Sequence, residues 1–119
     1  MNIEELRDYC LVMNDVTEKT PFGKFSPRFD STLVFYVLGH MFCMIDMNNF
    51  DSVCFRSTPE EIDRIRSHHL AVHKPINPAL KFWIRVDLNK DISDKEVYSY
   101  IRRAYEIVRI KYTRKNKNN

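Results

Sequence analysis

The stretch TLVFYVLGHMFCMID, Thr32 to Asp46, decides the fold class. Two runs rich in valine, phenylalanine, tyrosine and isoleucine flank Gly39-His40, which is the pattern of two antiparallel strands joined by a tight turn. Apolar residues fall on both faces of each run, so the hairpin is expected to be central and largely covered.

Reading toward the C-terminus, SVCFR (Ser52 to Arg56) predicts a third strand. TPEE then supplies Thr58 as N-cap, Pro59 at the first helical position and Glu61 as capping-box partner. Ile62 and Ile65 give that helix a narrow inner face, and it should run to about His69. Residues 70–80 hold Pro75 and Pro78 and are expected to be irregular, with room for one extra short strand.

The segment KFWIRVDL, Lys81 to Leu88, has the cleanest alternation in the chain. Phe82, Ile84, Val86 and Leu88 point one way; Trp83, Arg85 and Asp87 point the other. Ser93 with Glu96 forms a capping box. Val97, Ile101, Ala104, Tyr105, Val108 and Tyr112 follow at i, i+4, i+7, i+8, i+11 and i+15, which predicts an amphipathic helix over 94–112.

Toward the N-terminus, Asn2 and Glu5 open a helix over residues 3–13, with Ile3, Leu6, Cys10 and Met13 on one stripe. Residues 14–31 are expected to be a connector pinned by Phe22, Phe25 and Phe29. The order α-β-β-β-α-β-α describes an α+β fold, an antiparallel sheet with helices packed on one face.

At 119 residues the chain is one domain over 1–112, followed by a basic frayed tail over 113–119. Two glycines, Gly23 and Gly39, cannot build a glycine-rich phosphate cradle, which excludes the P-loop and dinucleotide fingerprints. Three cysteines, Cys10, Cys43 and Cys54, lie in apolar patterns without CxxC spacing, so buried thiols in a reducing, cytosolic compartment are expected. The polar start of the chain does not resemble a signal peptide, and no apolar run is long enough for a membrane span.

The net charge of +3 is unevenly distributed. Residues 1–60 carry 5 basic and 9 acidic side chains, against 14 and 7 over 61–119. A basic second half suits DNA, another polyanion or an acidic protein partner.

Two constellations carry that idea. The only tryptophan, Trp83, stands between Lys81 and Arg85, so its ring could stack on a base while the cations meet phosphate. The alternative is a packing role, with Arg85 paired to Asp87 or stacked on the ring. The second constellation is Arg102, Arg103, Arg109, Lys111, Arg114, Lys115 and Lys117. It can hold phosphates without reading sequence, or it can complement a helix C-terminus. His69 and His73 have i, i+4 spacing, but the helix should end before both can share a face, so no metal site is expected. No nucleophile elbow, triad order or metal motif appears; neither catalysis nor a cofactor is expected.

In order along the chain, VTEKTPFG (Val16 to Gly23), LVFYVLGHMF (Leu33 to Phe42), FRSTPEE (Phe55 to Glu61), KFWIRVDL and AYEIV (Ala104 to Val108) resemble the MmcQ/YjbR-like family. The resemblance implies a CyaY-like fold and DNA binding through a double-wing arrangement of strands. The chain departs from the family where a Lys-His-Trp string becomes Lys81-Phe82-Trp83, and where His40 replaces a common turn lysine. The segment KFSPRFD before the first strand is also longer than usual. Frataxins share the fold and bind metal on an acidic first helix. Here that helix has only Glu4, Glu5 and Asp8 beside Arg7, so metal binding is not carried over. The expectation is a non-enzymatic DNA-binding domain. The alternatives are a protein-interaction module on the Trp83 sheet face and a small-molecule binder with a pocket beside Trp83.

Overall fold

The computed structural model describes residues 1–23, 30–70, 72–73 and 81–117, apart from the side chains of 73 and 114–117. In chain order its elements are α1 (Ile3–Leu11), β1 (Val16–Lys19), β2 (Thr32–Val37), β3 (His40–Asp46), β4 (Ser52–Arg56), α2 (Pro59–His68), β5 (Val72–His73), β6 (Trp83–Asp87) and α3 (Asp94–Lys117). The strands form one antiparallel sheet in the order β1-β2-β3-β4-β6-β5.

The fold class is the expected one, with a strand added at each edge. β1 lies inside the segment expected to be a connector. Its sequence, VTEK, has no apolar alternation to announce it; backbone pairing with β2 makes it a strand, with Val16 opposite Val37 and Lys19 opposite Val34. β5 is the short strand for which residues 70–80 left room. Phe25 and Phe29 of the expected loop anchors lie outside the described residues, and Phe22 is half-buried.

The hairpin turn is Leu38-Gly39, not Gly39-His40. Both residues have positive φ, 53° and 80°, and Val37 pairs directly with His40. Two successive left-handed residues make a two-residue turn whose twist matches the strands. Leucine is a poor choice for that backbone. Its side chain compensates by packing against the core.

Pairing in this hairpin shifts register between Phe35 and Tyr36, because Phe35 faces Cys43 whereas Tyr36 faces Met41. Phe42 is therefore an extra residue on β3. The bulge lets the consecutive residues Phe42 and Cys43 both join the core cluster on one face, which strict alternation forbids.

One core cluster lies between the sheet and the helices. Leu6 and Cys10 of α1, Ile62 and Ile65 of α2, and Val97, Ile101, Ala104, Tyr105 and Val108 of α3 all join it. From the sheet come Leu33, Phe35, Val37, Ile45, Val53, Phe55, Ile84 and Val86. Among the described residues, then, all three helices cover the same face of the sheet.

The N-caps stand where expected, but the reciprocal box forms only at Asn2 and Glu5. Thr58 accepts from the Glu61 amide while the Glu61 carboxylate turns to Arg64 and Arg103. Ser93 accepts from the Glu96 amide at 3.2 Å and its hydroxyl donates to the Glu96 carboxylate. α1 stops at Leu11, two residues earlier than expected, and Met13 is buried beyond its end. α3 continues to Lys117 instead of fraying after Tyr112, consistent with the good helix propensity of arginine and lysine. Tyr112 stacks on His40 with ring centroids 3.3 Å apart, fastening the hairpin turn to α3.

Candidate nucleic-acid interface

The second face of the sheet follows from the register. Across β4 and β6, Arg56 stands opposite Trp83, Cys54 opposite Arg85 and Ser52 opposite Asp87. Met44 faces Cys54, Val34 faces Met44, and Lys19 faces Val34. A row therefore crosses five strands, Lys19–Val34–Met44–Cys54–Arg85, with a cation at each end. Side chains directly opposite one another have Cβ atoms about 5 Å apart, so Trp83 and Arg56 are neighbours.

Trp83 is half-buried, while Arg85 and Lys81 are exposed. The ring is thus neither a core residue nor a free one. Val34 is fully buried yet stands outside the core cluster, and Cys54 and Met44 are half-buried, so the middle of this face is its driest part. Burial pushes the Cys54 thiol up to about 11, against a smaller opposing pull from the Arg85 charge.

Phe82 does not join Ile84 and Val86 in the core. It lies in the turn before β6, 37% exposed, and its carbonyl accepts from the Ser57 amide at 2.7 Å. The strand alternation ends where the chain turns, so the ring is released to the surface. There it sits 5.2 Å from both the Arg56 guanidinium and the Lys81 ammonium. The Arg56 Nε is buried and has no hydrogen-bond partner among the described residues. A buried donor left without an acceptor is costly.

Charge on this face is graded along the strands. Arg56, Trp83 and Lys81 lie at one end, Asp46 and Asp87 at the other. Ser31 Oγ donates to Asp46 at 2.8 Å and the Asn48 amide donates at 2.9 Å, holding the Asp46 carboxyl below its ordinary value. Lys19 lies over the Tyr36 ring at 5.7 Å.

The cations of α3 are on the other side of the molecule. Because its apolar stripe packs on the first face of the sheet, Arg102, Arg103, Arg109 and Lys111 point away from that sheet and are exposed. Arg102 pairs with Glu106 at 3.2 Å and Arg103 with Glu61 at 3.3 Å. Lys111 lies over the Tyr112 ring at 5.4 Å. Arg114 and Lys115 fall in the last turns of α3, with side chains outside the description. Among the described side chains, the candidate cations and the aromatic therefore do not form one surface. Lys81, Trp83 and Arg85 are together; the helical set is separated from them by the thickness of the sheet.

Two cations and a ring were not singled out in the sequence: Arg56, Lys19 and Tyr36. Arg56 was legible as an outward residue of SVCFR, since Val53 and Phe55 point inward. Its adjacency to Trp83 depends on β4 pairing with β6, which no local signal announces.

His69 caps α2 in an extended conformation, while His73 lies on β5, so their helical spacing is lost. His69 instead approaches Asp91 and Glu96 at 3.5 and 3.6 Å. Among the described residues no group of three or more ligating side chains could hold a metal. A groove of about 610 Å³ lies between α2 and α3, away from Trp83. Glu61 there engages both Arg64 and Arg103, leaving little uncompensated charge.

Residues 11–107 match the family model described as YjbR. The chain belongs to the YjbR family. The matched segment of this YjbR domain contains the whole sheet, and it ends before Arg109, Lys111, Arg114 and Lys115. Among solved structures, the Deinococcus radiodurans protein DR2400, with family-model domain DUF419, is similar at a TM-score of 0.78 and 22% identity. That match covers 90% of this chain and 78% of that one. A Pseudomonas syringae protein is similar in its crystal structure at a TM-score of 0.68 and 20% identity, covering 90% and 98% of the two chains. The solution structure from the same organism gives 0.66 and 19%, covering 90% and 92%. At these identities the similarity establishes the shared fold. No curated protein matches the chain. No helix among the described residues is long and apolar enough to cross a membrane.

Proposed function

We propose that this YjbR domain is a non-enzymatic nucleic-acid-binding module acting through the second face of its sheet. The observation that carries the reading is the β4–β6 register, which sets Trp83 against Arg56 with Arg85 one pleat away. In this reading the half-buried ring offers a face on which a base stacks. Arg85 and Lys81, both exposed, meet phosphate oxygens. The α3 cations, on the opposite layer, contribute general attraction and no contact to the same stretch of nucleic acid. The free thiols Cys10, Cys43 and Cys54 fit a reducing compartment such as the cytoplasm.

Tryptophan fluorescence tests the proposal at one site, because Trp83 is the only tryptophan. Short single-stranded and duplex DNA are titrated at low and moderate salt. Quenching that saturates and weakens with salt, together with loss of affinity of Trp83→Ala for labelled DNA followed by anisotropy, supports the reading. An emission spectrum indifferent to DNA, with no change in anisotropy of labelled DNA, overturns it.

A further inference from the structure

We propose that the depression between the end of α1 and the middle of α3 is a docking site for an acidic amphipathic segment of another protein. The site lies on the helical layer and does not depend on the sheet face. Val12, the C-cap of α1, is 79% exposed, and Ile110 on α3 is 52% exposed. Both line one depression of about 440 Å³, whose floor is formed by Met13 and Tyr105. Two exposed aliphatic side chains at the rim of one concavity offer an anchor point for an apolar side chain.

The floor is rigid. Tyr105 Oη donates to the Asn14 carbonyl at 2.9 Å, and the Val12 amide donates to the Asp8 carbonyl at 3.2 Å. A preorganised site loses little freedom on binding.

Charge selects the partner. Arg102, Glu106, Arg109 and Ile110 occupy one stripe of α3, spaced i, i+4, i+7 and i+8. Glu106 is engaged by Arg102, and Arg109 makes no ion pair among the described residues. A carboxylate beside the aliphatic anchor would meet Arg109, whereas a basic segment would be repelled. A second copy of this chain fits less well. On its acidic helix, α1, Leu6 and Cys10 are buried in its own core, which leaves only Leu11 as an exposed aliphatic.

The probe is a short fluorescein-labelled helical peptide with leucines at i and i+4 flanked by glutamates. Anisotropy gives affinity, and methyl resonances of Val12 and Ile110 locate the contact. Saturable binding is expected, about tenfold weaker for Ile110→Ser, for Arg109→Glu and for a glutamine version of the peptide. Both substitutions are at exposed positions, and circular dichroism confirms that the variants fold. Absence of saturable binding at millimolar protein overturns the proposal. Binding indifferent to Ile110→Ser also overturns it, as do Val12 and Ile110 shifts that follow protein dilution without peptide, which would assign the depression to self-association.

Discussion

Arg56 and Trp83 face each other across β4 and β6, in a pairing that joins residues separated in the chain by α2 and β5. Arg85 lies on the same face, whereas Arg103 lies on the far layer with its guanidinium held by Glu61. The two arginines therefore separate the sheet-face proposal from general attraction. Arg85→Ala should lower the slope of log affinity against log salt by about one, as expected for one lost phosphate contact. Arg103→Ala should leave the slope unchanged. Equal effects from both would place the nucleic acid elsewhere.

Much of this was legible in the sequence. The Thr32–Asp46 hairpin and the stripe of α3 emerged because each repeats its apolar residues at the period of its own element. β1 did not, because an edge strand half exposed to solvent is defined by the backbone hydrogen bonds it makes, and VTEK carries no pattern of its own. Pairing of β4 with β6 was equally silent, so Arg56 went unnoticed. The placement of the helical cations was implicit from the start: a helix that buries Val97, Ile101 and Val108 must turn Arg102 and Arg109 away.

The thiols should be inert in the folded protein. Cys10 and Cys43 are fully buried. Burial, with the Cys10 thiol beside it, holds Cys43 well above its ordinary value, and Cys54 is pushed up to about 11. At about pH 8 roughly one Cys54 in a thousand is thiolate. A chromogenic disulfide reagent should show no fast phase in native protein, and three equivalents in denaturant. A fast-reacting native thiol would contradict the packing described.

The link from α1 to the sheet edge should titrate with acid. Arg7 Nε donates to Glu18 at 2.9 Å, and this bond with the Arg7 charge holds the Glu18 carboxyl below its ordinary 4.5. A carboxyl lowered in the folded state adds stability that is complete above about pH 4.5 and fades as pH falls through the lower folded value. Arg7→Gln should therefore be less stable than the parent near neutrality, with the gap closing as pH falls below about 4.5 and through the lower folded value. The effect is small because the pair is partly exposed. Urea midpoints across that range measure it; a gap that widens in acid would reverse the assignment.

Gly39 has φ of 80°, and a Cβ built there meets nothing within 4 Å. Gly39→Ala should cost about 1–2 kcal/mol through backbone strain alone, and Gly39→Asn less, since asparagine tolerates the left-handed region. Urea unfolding with an unchanged slope against denaturant reads the difference. An alanine variant as stable as the parent would rule out the Leu38-Gly39 turn.

The sheet's outermost strands are short: four residues in β1 and two in β5. The most apolar strands, β2 and β3, are interior, with both of their backbone sides already paired. At the β1 border Glu18 is tied to Arg7 and Lys19 adds a charge. A visiting chain thus finds little ladder to extend, and the segments with the greatest appetite for cross-β stacking are already enclosed. Crowding many copies together should accordingly leave them as separate folded units instead of seeding a fibril.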